Sequence, residues 1–558
     1  MSAPARRAKR EAAALRAAAI SCLALFAGAC TTSAPVIPRV SCPAAFTACG
    51  QQCVDLASDP TSCGGCGIPC AVGQTCAAGV CTCALGTVDC NGSCVTPDSA
   101  AAACLGAGQP TLVTSAPGAY WGTDGQLTEA TDGKVDVVVD AASTAQTWEG
   151  FGGAFNELGW SYLSLLSDSE RARALQLLFG ADGARFTFGR IPIGASDYAM
   201  DRYTDDEVPS GTTDYQLAGF SIARDLQALI PYVKAAQAIK PTLRLWASPW
   251  TPPTWMKEGP FSSGNLPTPF DGGAMKGDAA TLDAYAQYLI AFVRAYAQQG
   301  LTIEAVSAQN EPNYTGTYPT CSWSPQVYTT FIGQHLGPAL AASGLTTKIV
   351  LGTLNGSGSD PSILSTVMGD EVARAFVGAL GFQWGMQSRV GPSKAYDLPI
   401  WQTEHMCGNY PWVKPFNPTV APNDDAYAVE SWGLIRDWIK AGATAYSAWN
   451  MVLDTTGVGI DSTRVWPQDA LLVVDTANKT LLATPAFQVF RHVSRFVAPG
   501  AKVVKATGGD AVAFRNPDGS VVAVIHNPGA AQTMTVSLAG KALRFAMPGA
   551  GWATVVAQ

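Results

Sequence analysis

Twelve of the 16 cysteines in this 558-residue chain lie between Cys42 and Cys104, two lie at Cys22 and Cys30, and positions 105–558 hold only Cys321 and Cys407. One chain therefore contains two kinds of architecture. Residues 42–104 are interleaved with Gly, Pro, Asp and Ser and have almost no apolar runs, so they cannot build a hydrophobic core and must be cross-linked. The rest must hold itself by burial.

An even dozen cysteines predicts disulfides, with a connectivity that spacing does not determine. Cys63-x2-Cys66-x3-Cys70 also allows a zinc knuckle, but no His lies in the segment and an oxidising compartment favours disulfides. The module reads as a spacer rather than a sugar-binding unit, because Phe46 is its only aromatic ring and sugar platforms need several.

The redox argument depends on export. Arg6, Arg7, Lys9, Arg10 and Arg16 precede an apolar run, Ala17–Ala29, which is the pattern of a secretory leader and too short to span a bilayer. The run closes as Ala27-Gly28-Ala29-Cys30 before a Thr/Ser/Pro tether and resembles a bacterial lipobox, so Cys30 is the expected lipid attachment site. The expected division is a leader over residues 1–29, a tether over 30–41 and the cysteine module over 42–104. The location expected is extracellular or the outer cell surface, with a lipid as the only membrane contact.

From about Tyr120 the texture changes. The chain as a whole is 47% hydrophobic and 14% charged, enough to bury a large core. Short β-type runs alternate with amphipathic helices: Gly150–Phe155, Arg185–Ile193, Thr242–Ala247, Ile303–Gln309, Lys348–Thr353, Phe376–Trp384, Leu398–Thr403 and Ala443–Trp449. Eight such runs predict an α/β fold, an eight-fold β/α (TIM) barrel over 146–465. Leu282, Tyr285, Leu289, Phe292, Val293 and Tyr296, and likewise Leu226, Leu229, Ile230 and Val233, recur at helical spacing as core faces. Helical patterning fades after Trp466, and 466–558 reads as a β-sandwich with turns at Gly508-Gly509, Asn516–Gly519 and Asn527–Gly529. Residues 111–145 are also strand-like and are expected to join that sandwich.

Barrel strands place their closing residues at the active face. The fourth run closes with Asn310-Glu311-Pro312 and the seventh with Thr403-Glu404-His405. A Glu at the end of an apolar strand is costly to leave unpaired, and two facing carboxylates across a cavity are what glycosidic cleavage needs. The net charge of −8 with no long basic block argues against nucleic acid, and only four His leave little for a His-rich metal site. No metal or cofactor is expected.

Gln146–Phe155, Ser248–Lys257, Gln309-Asn310-Glu311-Pro312, Tyr318–Cys321, Leu336–Leu340, Thr403-Glu404 and Trp449-Asn450 resemble glycoside hydrolase family 30, the glucosylceramidase and β-1,6-glucanase group. The resemblance runs from about residue 112 to the end and leaves 31–110 uncovered. It implies Glu311 as acid/base, Glu404 as nucleophile, and Asn310 as donor to the sugar 2-hydroxyl. Arg190, Asp197, Trp250 and Trp449 would line the subsite of the non-reducing sugar. Trp246, Trp255 and Trp323 stay outside the expected site, since core or rim packing suits them as well.

One departure stands out. Where the family usually has His-Trp-Tyr at the end of the sixth strand, this chain has Gln383-Trp384-Gly385, so the Tyr hydroxyl that would contact the nucleophile is missing. Gln383 or a loop residue replaces it, or the nucleophile is tuned differently. Cys321 and Cys407 allow a loop-to-loop disulfide, but no Cys/His/Asn signature supports a catalytic thiol. The expected function is an exported retaining β-glycosidase acting on β-1,6-glucan or on a β-glucoside such as glucosylceramide. The alternatives are an inactive sugar-binding protein on the same barrel and a structural surface protein.

Overall fold

The eight apolar runs form eight parallel strands in the computed structural model: β1 (Gly150–Ala154), β2 (Phe188–Ile193), β3 (Arg244–Pro249), β4 (Ile303–Ser307), β5 (Lys348–Leu354), β6 (Val377–Gln383), β7 (Ile400–Glu404) and β8 (Ala445–Asn450). They close into a barrel in chain order, with β8 returning to β1. The structure describes residues 110–558 except 262–267, 357–361 and 462. In the cysteine-rich segment it describes 42, 43, 46–49, 52–63, 70, 74–77, 80–83, 88–90 and 93–95. The expected leader over 1–29, the tether over 30–41 and Cys30 lie outside the described residues.

Near-continuous apolar strands are what a sheet covered on both faces requires. Phe188, Trp246, Ala305, Val350, Ala379, Trp401 and Ala445 fill the interior below the site. At Gly152 the backbone of β2 leaves no room for a side chain, because a Cβ would meet the Phe188 carbonyl oxygen at 1.5 Å. Outside, the helix Ala279–Gln298 starts at an Asp278 cap, whose side chain accepts from Thr281 N at 3.0 Å. It buries Leu282, Tyr285, Leu289, Phe292, Val293 and Tyr296, the expected face. Leu226 departs from expectation: it lies in the short turn Asp225–Gln227 before the helix Leu229–Ile239 and is 47% exposed, while Leu229, Ile230 and Val233 are buried.

Helical patterning does not fade at Trp466. The segment after β8 forms a small sheet (Val452–Asp454, Leu472–Asp475, Thr480–Ala483) and then the helix Pro485–Ser494, capped by Thr484. The helix is short and Pro-led, which hides its period in the sequence. The sandwich contains six strands between Lys502 and Ala557 and takes in Thr111–Ala116, Ala119–Gly122, Thr128–Glu129 and Val137–Thr147. Thr111–Ala116 pairs antiparallel with Gly551–Ala557, and Val137–Thr147 lies between Lys502–Thr507 and Gln532–Leu538. Its core includes Val137, Val504, Ile525, Val536, Phe545 and Val555. Trp148, Phe151 and Phe514 join sandwich to barrel, with ring centroids 4.5–6.4 Å apart.

The described residues between Cys42 and Cys83 belong to a separate unit with two-stranded ribbons, Thr47–Cys49 with Gln52–Val54 and Gln74–Ala77 with Val80–Cys83. Disulfides join Cys42 to Cys53, Cys63 to Cys76 and Cys70 to Cys81. The Cys63, Cys70 and Cys81 sulfurs lie within 4.8 Å of one another, but all three are in disulfides, so they offer no thiolates to a zinc ion.

Candidate functional site

The carboxyl ends of the barrel strands surround a cavity of ≈ 330 Å³. Glu311, Glu404, Asp197, Trp250 and Trp449 line it, together with Tyr318, Asn355, Cys407, Arg464 and Trp466. Each element delivers its side chain by strand register. Arg190 rises from β2, Ser248 from β3, Thr353 from β5, Gln383 closes β6 and Glu404 closes β7; Asn310 and Glu311 follow β4.

Arg190 is fully buried and organises the centre. Its Nη1 donates to Glu404 Oε2 at 2.6 Å and to the Thr403 carbonyl at 3.3 Å; its Nη2 donates to Asn310 Oδ1 at 2.6 Å, and its Nε to Ser248 Oγ at 3.0 Å. The planar fork of donors makes all four contacts at once, which an ammonium cannot. The guanidinium also lies over the Trp250 ring at 4.4 Å, and Trp250 stacks on Trp449 at 5.3 Å.

Asn310 Oδ1 accepts from Arg190, from Thr353 Oγ1 at 2.7 Å and from Gln383 Nε2 at 3.1 Å. Three donors on one oxygen determine which way the amide points. Its Nδ2 retains a single long contact, 3.5 Å to Glu311 Oε2, and is left to donate to a ligand.

Glu311 accepts from the Tyr318 hydroxyl at 2.9 Å and from Asn355 Nδ2. Its backbone is left-handed, φ 47°, an uncommon conformation for a non-glycine residue and one that clusters at functional sites. The Glu311 N–H donates to the Thr353 carbonyl at 3.0 Å, which anchors that turn to β5. Glu404 accepts from Arg190 and, at 3.0 Å, from Gln383 Nε2. Burial raises both carboxyls above their ordinary range; the Tyr318 and Asn355 hydrogen bonds oppose it at Glu311, and Arg190 opposes it at Glu404. Asp197 is pushed up to about 7 by burial and by the charge of Glu311, and its Oδ1 is buried with no hydrogen-bond partner. An orphan acceptor beside a cavity is suited to a ligand hydroxyl.

The structure thus brings Arg190, Asp197, Trp250, Asn310, Glu311, Glu404 and Trp449 to one place. The reading of the sequence missed Ser248, Thr353, Asn355, Tyr318 and Arg464 and left Gln383 open. Ser248, Thr353, Asn355 and Gln383 sit at or just past strand ends, where the rule that found the Glu pair would have found them. Tyr318 and Arg464 sit in loops and carry no such signal. Trp246 lies in the barrel interior, and Trp323 packs among Tyr285, Tyr328 and Phe331. Trp255 is buried, with Nε1 donating to Asp206. Cys321 and Cys407 are both free and buried, so the loop-to-loop disulfide is not formed; burial pushes the Cys321 thiol up to about 12 and that of Cys407 well above its usual value.

Residues 148–497 match the glycosyl hydrolase family 30 TIM-barrel domain and residues 500–555 its β-sandwich domain. The chain belongs to glycosyl hydrolase family 30. As a member of that family it is a glycoside hydrolase, and its barrel and sandwich are the two domains of the family. It is 28% identical to the lysosomal acid glucosylceramidase of Mus musculus over 411 residues, 68% of this chain and 75% of the relative. It is 27% identical to an endo-1,6-β-D-glucanase of Neurospora crassa over 410 residues, 68% of this chain and 79% of the relative. The fold matches that of SrfJ from Salmonella typhimurium with a TM-score of 0.69 at 23% identity, covering 80% of this chain and 99% of the other.

Proposed function

We propose that this family 30 glycoside hydrolase is an exported enzyme that cleaves β-glucosidic bonds with retention, by double displacement, in β-1,6-glucan or in a glucoside such as glucosylceramide. The observation that carries the reading is the unequal support of two buried carboxyls on one cavity. Glu404 receives a guanidinium and an amide N–H, whereas Glu311 receives a phenol and an amide N–H.

A buried pair holds one proton more readily than two like charges. Arg190 favours the charge on Glu404, which leaves the proton for Glu311. Glu404 then attacks the anomeric carbon, and the glycosidic oxygen takes the proton of Glu311 as that bond breaks. In the second step Glu311 removes a proton from water, whose oxygen displaces Glu404. Asp197 accepts hydroxyls of the sugar and Asn310 Nδ2 donates to its 2-hydroxyl, while Trp449 offers a ring to the apolar sugar face.

Glu404→Ala and Glu311→Ala are each expected to lower kcat/KM on an activated aryl β-glucoside by at least about 10³-fold with the barrel still folded; Glu404→Ala, which leaves the buried Arg190 without its counter-charge, also lowers the unfolding temperature. Near-normal turnover by either variant would remove that residue from its role. Turnover of β-1,6-glucan and glucosylceramide by one pure sample separates the two substrates. Export and lipid attachment at Cys30 rest on the leader and lipobox pattern. Labelled palmitate entering the wild-type chain but not Cys30→Ser is the expected result.

A further inference from the structure

Gln383 occupies the centre of the site, yet the family pattern has His at its position and carries a nucleophile-contacting hydroxyl two residues later, where this chain has Gly385. The Gln383 side chain is fully buried. Its Nε2 lies 3.0 Å from Glu404 Oε2, 3.1 Å from Asn310 Oδ1 and 3.2 Å from Thr353 Oγ1. Arg190 donates to the same two side-chain oxygens, Glu404 Oε2 and Asn310 Oδ1. Glu404 and Asn310 are therefore tied together twice, once by a permanent cation and once by a neutral amide.

We propose that Gln383 is a positioning residue that replaces the missing Tyr hydroxyl. It holds the Glu404 carboxylate for attack and at the same time turns the Asn310 amide toward the sugar, by one N–H2 group that has no titratable proton.

The geometry supports this in three ways. Rotating the amide by half a turn would set its oxygen against a carboxylate oxygen, so the N–H2 group must face Glu404. One N–H faces Glu404 Oε2 and the other is shared between Asn310 Oδ1 and the Thr353 hydroxyl oxygen, which itself donates to Asn310 Oδ1. The Gln383 Oε1 atom is buried without a partner, so the contacts that hold the side chain are all made by the nitrogen. A phenol at this place would ionise at high pH and turn from donor to acceptor, whereas an amide donates at every pH.

The inference rests on the roles proposed for Glu404 and Asn310. Its test compares Gln383→Ala, Gln383→Glu and Gln383→His with wild type on an activated aryl β-glucoside, with melting curves for each. Gln383→Ala is expected to lower kcat about ten- to a hundredfold with KM within about threefold. Gln383→Glu matches the side chain in shape; protonated, it donates as Gln does, and ionised, it repels Glu404. Its activity should therefore fall at lower pH than that of wild type, moving the alkaline limb of the pH profile down by about one unit or more. Gln383→His, whose neutral ring keeps an N–H, should recover part of the loss in Gln383→Ala.

Unchanged kcat in Gln383→Ala, or an unshifted alkaline limb in Gln383→Glu, would overturn the proposal. If Gln383→Ala does not fold, the pH profile of Gln383→Glu decides alone. Should Glu404→Ala keep its activity, the underlying assignment fails instead, so the two failures are distinguishable.

Discussion

Arg190 shows how much one side chain decides. It is a full positive charge with no solvent contact, a state tolerated because Glu404 neutralises it and oxygens of Asn310, Ser248 and Thr403 accept three more of its N–H donors. Removing the fork while keeping the charge isolates its geometry. Arg190→Lys is expected to lower kcat/KM on an aryl β-glucoside by about a hundredfold and to lower the melting temperature, since a point charge cannot reach all four acceptors. Steady-state rates and a thermal melt check it, and activity within about threefold of wild type would mean that charge alone suffices. The strand-end rule pointed to Glu311 and Glu404, but not to Arg190, which sits third in β2 and entered only through family resemblance.

At the level of elements, the crossover from β2 to the helix Leu229–Ile239 has its own buried chemistry. Asp225 accepts from the Tyr203 and Tyr296 hydroxyls at 2.8 and 2.7 Å, and burial pushes it up to about 7. Asp205, in the same crossover, is raised as well, by burial and by the charge of Asp225. A raised carboxyl binds its proton more tightly in the folded than in the unfolded chain. Its contribution to stability is therefore complete below the ordinary carboxylate value of about 4 and is lost as pH rises toward 7. Asp225→Asn removes that titration, so the melting temperature of the variant relative to wild type should rise from pH 4 to pH 7. Melts across that range test it; a constant difference would show that Asp225 does not retain its proton. The local alternation of polar and apolar residues that located the strands contains no trace of this cluster, because its members come from distant turns and from the helix Ala279–Gln298.

At the level of the whole molecule, the sandwich is built from both ends of the sequence. Val137–Thr147 supplies a strand between Lys502–Thr507 and Gln532–Leu538, and Thr111–Ala116 covers Gly551–Ala557. His492, on the helix Pro485–Ser494, shares hydrogen bonds of 2.8 Å with Thr554 and Ser115, one from each end. Deleting residues 1–109 should leave a soluble, folded protein, because every strand of the ten-stranded sheet lies after that point. Deleting 1–147 should give insoluble protein, because two sheet strands lose their central partner and expose unpaired backbone. Soluble yield and thermal unfolding of the two truncations distinguish the outcomes.

What the amino-acid order determined by itself is local or additive. Cysteine density demanded cross-links where no core could form, apolar runs of strand length specified a barrel, and the polar residues closing those runs marked the face that carries chemistry. Two clusters lay beyond it: the Arg190–Gln383–Asn310–Glu404 network and the Asp205–Asp225 cluster bring together residues far apart in the chain. Hydrogen-bond geometry depends on distances of a few tenths of an ångström between such residues, and only the closed barrel sets those distances. The replacement of a Tyr hydroxyl by the amide of Gln383 could be suspected from sequence, but its contact with Glu404 was decided by the packing of β6 against β7.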